Sequence, residues 1–315
     1  MGLKIAVIGA GGVGGYFGGR LAAAGHDVTF VARGEHLTAL RRDGLAVASV
    51  TGDFTVAPAR ATDDPAEIGE VDFVLLAVKT WQLESAITAL KPLIGNQTAV
   101  VTTQNGVDAP QQVADVVGRD AVLPGAVEVI AFLDGPGRIR QIGGGKLTFA
   151  EWDSVPTDRV ARLRDAVQES GLTAVVATDV WAALWSKFLA LASVGALGTV
   201  TDAPYGVLRA RPNTRQLLVE AMTEVHQVAR ANDIDLPDDI VPTTIAFLDQ
   251  LPAEGTTSLQ RDIRAGRPSE LDAWTGAVVR LGLKTSTPTP INAMLYELAS
   301  ARAQVIGVEG LPGVR

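Results

Sequence analysis

Two hydrophobic rhythms divide the chain. Up to about residue 175, short runs rich in β-branched residues alternate with helical or loop segments, the signature of a parallel sheet with crossover helices. Lys4 to Ile8, Asp27 to Val31, Val71 to Val78, Thr98 to Thr102 and Ala121 to Pro124 read as buried strands, with Val127 to Phe132 and Ile139 to Ile142 as an antiparallel extension. Beyond Val176 the apolar positions recur at helical spacing over long segments. These are punctuated by Pro204, Pro212, Pro237, Pro242, Pro268 and Pro288 and show no strand pattern. The expected fold is an α/β doubly wound sheet followed by an all-α C-terminal domain. The expected division is 1–175 and 176–315, with Val175 to Asp179 as the crossing.

One apolar run, DVWAALWSKFLALASVGALGTV from Asp179 to Val200, encloses a single lysine. Trp181, Leu184, Trp185, Phe188 and Ala192 form a stripe at three- and four-residue spacing, as on a helix pressed against a core. Lys187 lies off that stripe, beside Ala183, Ala190 and Val194, so this helix has no properly solvated face. An ammonium there has two readings. Either its stem covers apolar surface while the head snorkels to water, or it is a proton donor or substrate anchor in a dry cleft.

Ile5 to Gly15 reads IAVIGAGGVGG, and Gly9, Gly11 and Gly14 fill G-x-G-x-x-G directly after a strand and before a helix. In that context the first glycine permits the tight turn, the second lets backbone approach a pyrophosphate, and the third allows close helix packing. A Rossmann-type dinucleotide site follows, with contacts on Gly9, Ala10, Gly11, Gly12, Val13 and Gly14. Where an acid would bind the ribose of NAD at the end of the second strand, the chain reads VTFVARGEH. Arg33 suits the extra phosphate of NADP. An arginine at a helix start opposes the dipole, so a purely structural role is disfavoured and NADP(H) is the expected cofactor.

Composition narrows the partners. A chain of 315 residues with 47% hydrophobic and 20% charged residues can bury the cores of two ordinary globular domains. The formal net charge of -8 argues against nucleic acid, whose binders carry a clustered basic excess, and leaves small molecules as expected ligands. Without cysteine there is no disulfide, thiolate or zinc–thiolate chemistry. His26, His36 and His226 are too scattered for a metal site. No stretch reads as a membrane span, and MGLKIAVIGAGG enters a strand pattern at once, without the regions of a signal peptide. A soluble, cytoplasmic protein is expected.

Lys79 in DFVLLAVKTWQ and Asn105 in AVVTTQNGVD close the third and fourth strands, at the sheet edge where open α/β sheets bind ligands. Each also has a bland reading, a solvated lysine and an Asn-Gly turn. Taken in order, GAGGVG, the arginine after the second strand, KTWQ, QNG, the LWSK helix and the late SLQRDIRAGRPSELD resemble the ketopantoate reductase family over nearly the whole chain. The resemblance implies a Rossmann domain, a helical C-terminal domain and NADPH-dependent reduction of a keto acid, a step of pantothenate biosynthesis. It further implies that Lys187 is the catalytic lysine, Asn105 a contact to nicotinamide and substrate, Lys79 a cofactor-side contact, and Glu270 the cleft glutamate. Ser258 then binds substrate and Ala131 contacts the nicotinamide region through its backbone. Read alone, Ser258 is equally a helix cap and Glu270 a first-turn acid.

The family's asparagines one and two turns after the lysine, and another farther on, are replaced here by Leu191, Gly195 and Tyr205. None of these can supply a buried amide to a substrate hydroxyl or carboxylate. The expected substrate is therefore a 2-oxo acid, either ketopantoate or a related, less polar ketone. Two alternatives stay open: an NAD(P)-dependent hydroxyacid dehydrogenase and a nonenzymatic NADPH-binding sensor. A homodimer through the C-terminal helices is compatible with all of them.

Overall fold

Strand residues in the N-terminal half point alternately into two separate cores. In β1 (Lys4–Ile8), Ile5 and Val7 enter one and Ala6 and Ile8 the other, as the two-residue period of a strand requires. The computed structural model describes residues 2–308. After β1 come α1 (Gly12–Ala23), β2 (Asp27–Val31), α2 (Gly34–Asp43), β3 (Leu45–Ser49), β4 (Phe54–Val56) and β5 (Arg60–Thr62). They are followed by β6 (Phe73–Leu76), α3 (Leu83–Thr88), β7 (Ala99–Thr102), α4 (Ala109–Val117) and β8 (Val122–Leu123). The main sheet runs β5-β2-β1-β6-β7-β8, with every neighbouring pair parallel. This is the doubly wound Rossmann order, whose direction reverses between β1 and β6, the switch point where such sheets bind ligands.

The antiparallel pair β9 (Gly125–Leu133) and β10 (Arg138–Phe149) does not extend that sheet as expected. It belongs to a second, five-stranded sheet in which β10 also pairs in parallel with β3 near its start and with β11 (Thr173–Val176) at its end, while β3 pairs with β4. Register shifts at Gln141/Gly143 and Gly144/Lys146 mark bulges, which bend one long strand so that it serves two parallel neighbours. Before β11, α5 (Asp158–Glu169) starts at Thr157, whose hydroxyl accepts from the Val160 N–H at 3.4 Å.

After β11 the described residues hold no strand. The helices are α6 (Val180–Thr201), α7 (Tyr205–Ala210), α8 (Pro212–Ala231), α9 (Ile240–Gln250), α10 (Ser258–Arg264), α11 (Ala277–Thr285) and α12 (Pro290–Ile306), with a π-helical turn at Asp272–Gly276. Two compact units result: residues up to Gln104 with Ala109–Val180, and Asn105–Asp108 with the chain from Trp181. Their boundary departs from 175/176 because β11 includes Val176 and the Ala177 N–H still bonds the Phe149 carbonyl at 3.0 Å.

Within α6 no residue from Val180 to Val200 is exposed, and Lys187 is half-buried. By length and composition this helix could cross a membrane, contrary to the expectation that no segment could. Its alanines, glycines and leucines raise the mean hydropathy to 1.5, yet 61% of that window is buried within the fold, as in a core helix of a globular domain.

Candidate active site

The fingerprint glycines answer to different neighbours. Gly9 takes φ +93°, a conformation that side chains disfavour, and its N–H reaches the Val31 carbonyl at 3.4 Å, tying the turn to the end of β2. A Cβ on Gly12 would collide with the Ala131 carbonyl of β9, and one on Gly14 with the Gly9 carbonyl. Gly11 differs, because nothing lies within 4 Å of a Cβ built there and its φ of -73° suits any residue. Packing does not demand a glycine at 11. The open space beside it is the space a pyrophosphate needs. No side chain caps α1 and no acid occupies its first turn, so its leading N–H groups and positive dipole end suit an anion.

Arg33 is the exposed N-cap of α2, two residues beyond β2. One turn on, His36 Nδ1 accepts from the Gly137 N–H at 3.0 Å, so in the neutral ring Nε2 carries the proton and donates to the Ala10 carbonyl at 2.8 Å. Burial lowers this histidine's pKa, and the bond to Ala10 opposes the shift. His36 thereby fastens the fingerprint turn to the β9–β10 hairpin. Lys79 Nζ stands 5.5 Å from the centroid of the Trp81 ring, a cation–π distance. Gln104, buried at the end of β7, donates to the Leu76 and Val78 carbonyls at 2.8 and 3.0 Å. The first residue of QNG therefore splices strand ends, while Ala131 lies on β9 against Gly12.

In the second unit Lys187, Asn105 and Glu270 meet. Lys187 Nζ donates to Asn105 Oδ1 at 2.7 Å, and Asn105 Nδ2 donates to Glu270 Oε2 at 3.4 Å. The amide thus relays between an ammonium and a carboxylate whose residue is only 3% exposed. Glu270 is not the first-turn acid, since Asp272 occupies that position in the π-helical turn. Nor is Ser258 the cap of α10. Thr257 is the N-cap, its hydroxyl accepting from the Gln260 N–H at 3.2 Å, and this leaves the half-buried Ser258 hydroxyl without that duty.

Leu191 is half-buried one turn after Lys187. Gly195 lies under the fully buried Trp274, where a Cβ would stand 2.9 Å from the indole Cε3 and 3.1 Å from Leu259 Cδ2. An indole fills the space that a larger residue at 195 would need. Tyr205 opens α7, its N–H bonded to the Gly255 carbonyl at 2.9 Å. Tyr205 lines a small cavity with Val194, Leu208, Arg209, Arg215, Leu218, Ile245 and Leu248, and burial raises the phenol's pKa.

Two neighbours went unread in the sequence. Arg280 looks like a solvated residue on an amphipathic helix, but it pairs with Asp272 at 2.7 Å and Asp108 at 3.3 Å. Trp274 carried no pattern beyond its size, and only its position over Gly195 reveals a role.

Two family models match the chain: ketopantoate reductase PanE/ApbA over residues 5–154 and ketopantoate reductase PanE/ApbA C terminal over 179–303. A 2-dehydropantoate 2-reductase of Mesorhizobium japonicum is 31% identical, over 93% of this chain and 96% of its own. A solved PanE/ApbA family ketopantoate reductase from Ralstonia eutropha JMP134 has a TM-score of 0.88 at 31% identity, over 96% of this chain and 99% of that one. A D-mandelate dehydrogenase solved with NADH and anilino(oxo)acetate also has a TM-score of 0.88, at 25% identity, over 98% of this chain and all 100% of that one.

Proposed function

The chain belongs to the ketopantoate reductase family in both its sheet and its helical portions, and from that premise we propose that it reduces a 2-oxo acid less polar than ketopantoate to the 2-hydroxy acid, using NADPH. The coarser statement, an NAD(P)-dependent oxidoreductase related to ketopantoate reductases and 2-hydroxyacid dehydrogenases, follows from the family itself. The observation that carries the finer reading is the Lys187–Asn105–Glu270 chain, standing beside a helix face from which the amides are gone.

The residues present fit the cofactor. Gly9 to Gly14 and the uncapped end of α1 would hold the pyrophosphate, and Arg33 the 2′-phosphate of NADPH. When bound, the reduced nicotinamide would supply the hydride for the carbonyl carbon. Lys187 does the rest of the polar work. Its ammonium, held on Asn105 Oδ1, is the group that would meet the carbonyl oxygen as charge builds there. The same ammonium then yields the proton that completes the hydroxyl. Glu270, through Asn105 Nδ2, holds the amide in the orientation that presents Oδ1 to the lysine. In a poorly solvated setting these charges act at low dielectric.

Substrate preference follows from the residues along α6. Leu191 offers no hydrogen bond, Gly195 is roofed by Trp274, and Tyr205 is half-buried where the family has an asparagine. A substrate hydroxyl placed there would lose its partner, at a cost of about 1–3 kcal/mol. The likeness to an enzyme solved with anilino(oxo)acetate supports a branched or aryl 2-oxo acid in the same way. The test is NADPH oxidation with ketopantoate beside 2-oxo acids carrying branched and aromatic side chains. The apolar acids are expected to have the higher kcat/KM. Ketopantoate as the best substrate would overturn the apolar reading, and no turnover with any acid would overturn the reductase reading.

Cofactor choice gives a second prediction. A charge-assisted phosphate contact is worth about 1.5–3 kcal/mol, roughly 10- to 100-fold in affinity. Arg33→Ala should therefore lower kcat/KM for NADPH by that factor and leave the NADH value nearly unchanged. Equal losses with both cofactors would mean that Arg33 does not read the 2′-phosphate.

A further inference from the structure

The loop Asn105–Asp108 is fastened to the turn that follows Glu270. Arg280 on α11 reaches both, with Nη1 2.7 Å from Asp272 Oδ1 and Nη2 3.3 Å from Asp108 Oδ2. Asp272 is two residues past Glu270, and Asp108 three past Asn105. Between them Gly106, at φ +107°, passes so near the π-helical turn that a Cβ would stand 2.9 Å from the Ala273 carbonyl. Tyr296 on α12 donates its hydroxyl to Asp272 Oδ1 at 3.0 Å. Gly276 leaves room for this cluster, since a Cβ there would come within 2.9 Å of Asp272 Oδ1 and 3.2 Å of Arg280 Nη1.

We propose that Arg280 is a positioning residue for the reduction, pinning Asp108 to Asp272 so that Asn105 is held in register between Lys187 and Glu270. This rests on the reductase reading above. The direct Asn105–Glu270 bond, at 3.4 Å, is near the long limit for a hydrogen bond and cannot by itself fix a loop. Arg280 supplies the stiffness through charged contacts on both sides. Stability does not explain the arrangement. Burial raises the Asp108 carboxyl's pKa despite the guanidinium beside it. Half-exposed ion pairs add little to folding. Tyr296, its phenol pushed up to about 12 by burial and by Asp272, remains a hydrogen-bond donor throughout the working range.

The experiment uses the full-length enzyme and its best 2-oxo acid, comparing wild type with Arg280→Ala, Arg280→Lys and Asp108→Asn. Steady-state kcat and KM, the NADPH Kd by fluorescence and the thermal midpoint are measured for each. A displacement of about 1 Å can cost on the order of 100-fold in rate, so kcat for Arg280→Ala should fall between 10- and 100-fold. NADPH Kd should stay within twofold and the midpoint should hold. Millimolar guanidinium should restore part of kcat to Arg280→Ala where sodium chloride does not, because a general structural defect has no reason to respond to that ion. Arg280→Lys keeps the charge without the two-armed reach and should rescue poorly. If Arg280→Ala fails to fold, Asp108→Asn reads the same contact by the same kcat criterion. A kcat within threefold of wild type in the variants, or a fall that guanidinium leaves untouched and that comes with weakened NADPH binding, overturns the positioning role alone. Wild type without turnover on any 2-oxo acid overturns the reductase reading, and the positioning role with it.

Discussion

Exchanging Lys187 for alanine should lower kcat by about 10²- to 10⁴-fold, the usual contribution of a placed general acid, while NADPH should bind with nearly wild-type affinity. The rate loss corresponds to about 2.7–5.4 kcal/mol of transition-state stabilisation. Cofactor binding should survive because the proposed phosphate contacts are the fingerprint turn and Arg33, whereas Lys187 is hydrogen-bonded within the second unit to Asn105. The fold survives as well. Lys187 is half-buried with Ala183, Ala190, Leu191 and Val194 on its side of α6, so an alanine there continues an existing surface of small and apolar residues. Lys187→Arg separates the two roles. A guanidinium keeps the charge but does not give up a proton near neutrality, so its kcat should lie between those of wild type and alanine if charge stabilisation and proton donation both count. Steady-state kinetics and a fluorescence titration of NADPH decide the matter. An alanine variant within tenfold of wild type would return Lys187 to the class of lysines that merely snorkel.

The parts of this molecule that could be read from its residues are those governed by local rules. β1, β6 and β7 are buried on both faces and so appear as unbroken apolar runs. The fingerprint is legible for the same reason, as its spacing reflects one turn and one helix start. β3, β4 and β5 escape notice because they are short and rich in alanine, threonine and serine. The place of β3 and β4 depends on β10 bending at its glycines, and that of β5 on its pairing with β2, tertiary events in both cases. Lys187 could be singled out as a charge in an apolar helix, but its partners could not follow from periodicity, since Asn105 is 82 residues away and Glu270 lies 165 from Asn105. They came instead from family likeness. Arg280 had neither signal, because an arginine on the outer side of an amphipathic helix looks the same whether it faces water or clamps two loops.

Gly11 and Gly12 adjoin in sequence and are glycines for different reasons, so alanine at each should produce different failures. At Gly12 the added carbon meets the Ala131 carbonyl and approaches the Phe132 nitrogen at 2.9 Å. This backbone cannot yield easily. Ala131 is paired across the strands with Gln141, whose buried side chain accepts from Ser49 Oγ at 2.8 Å and donates to the Gly144 carbonyl at 2.9 Å. Overpacking of this kind costs about 1–3 kcal/mol, and here it also pushes the start of α1 away from the β9 strand. Gly12→Ala should therefore lose both thermal stability and NADPH affinity. At Gly11 no protein atom is within reach and φ is ordinary, so Gly11→Ala should fold with an unchanged thermal midpoint. Its methyl instead occupies the side from which a pyrophosphate must reach the N–H groups of α1. With two or more charge-assisted hydrogen bonds lengthened, each worth about 1.5–3 kcal/mol, NADPH affinity should fall roughly 100-fold or more. Calorimetry of both variants with and without NADPH reads stability and binding together. A Gly11→Ala protein that still gains the wild-type increment of stability from NADPH would mean that the open side of the turn is not where the phosphates lie.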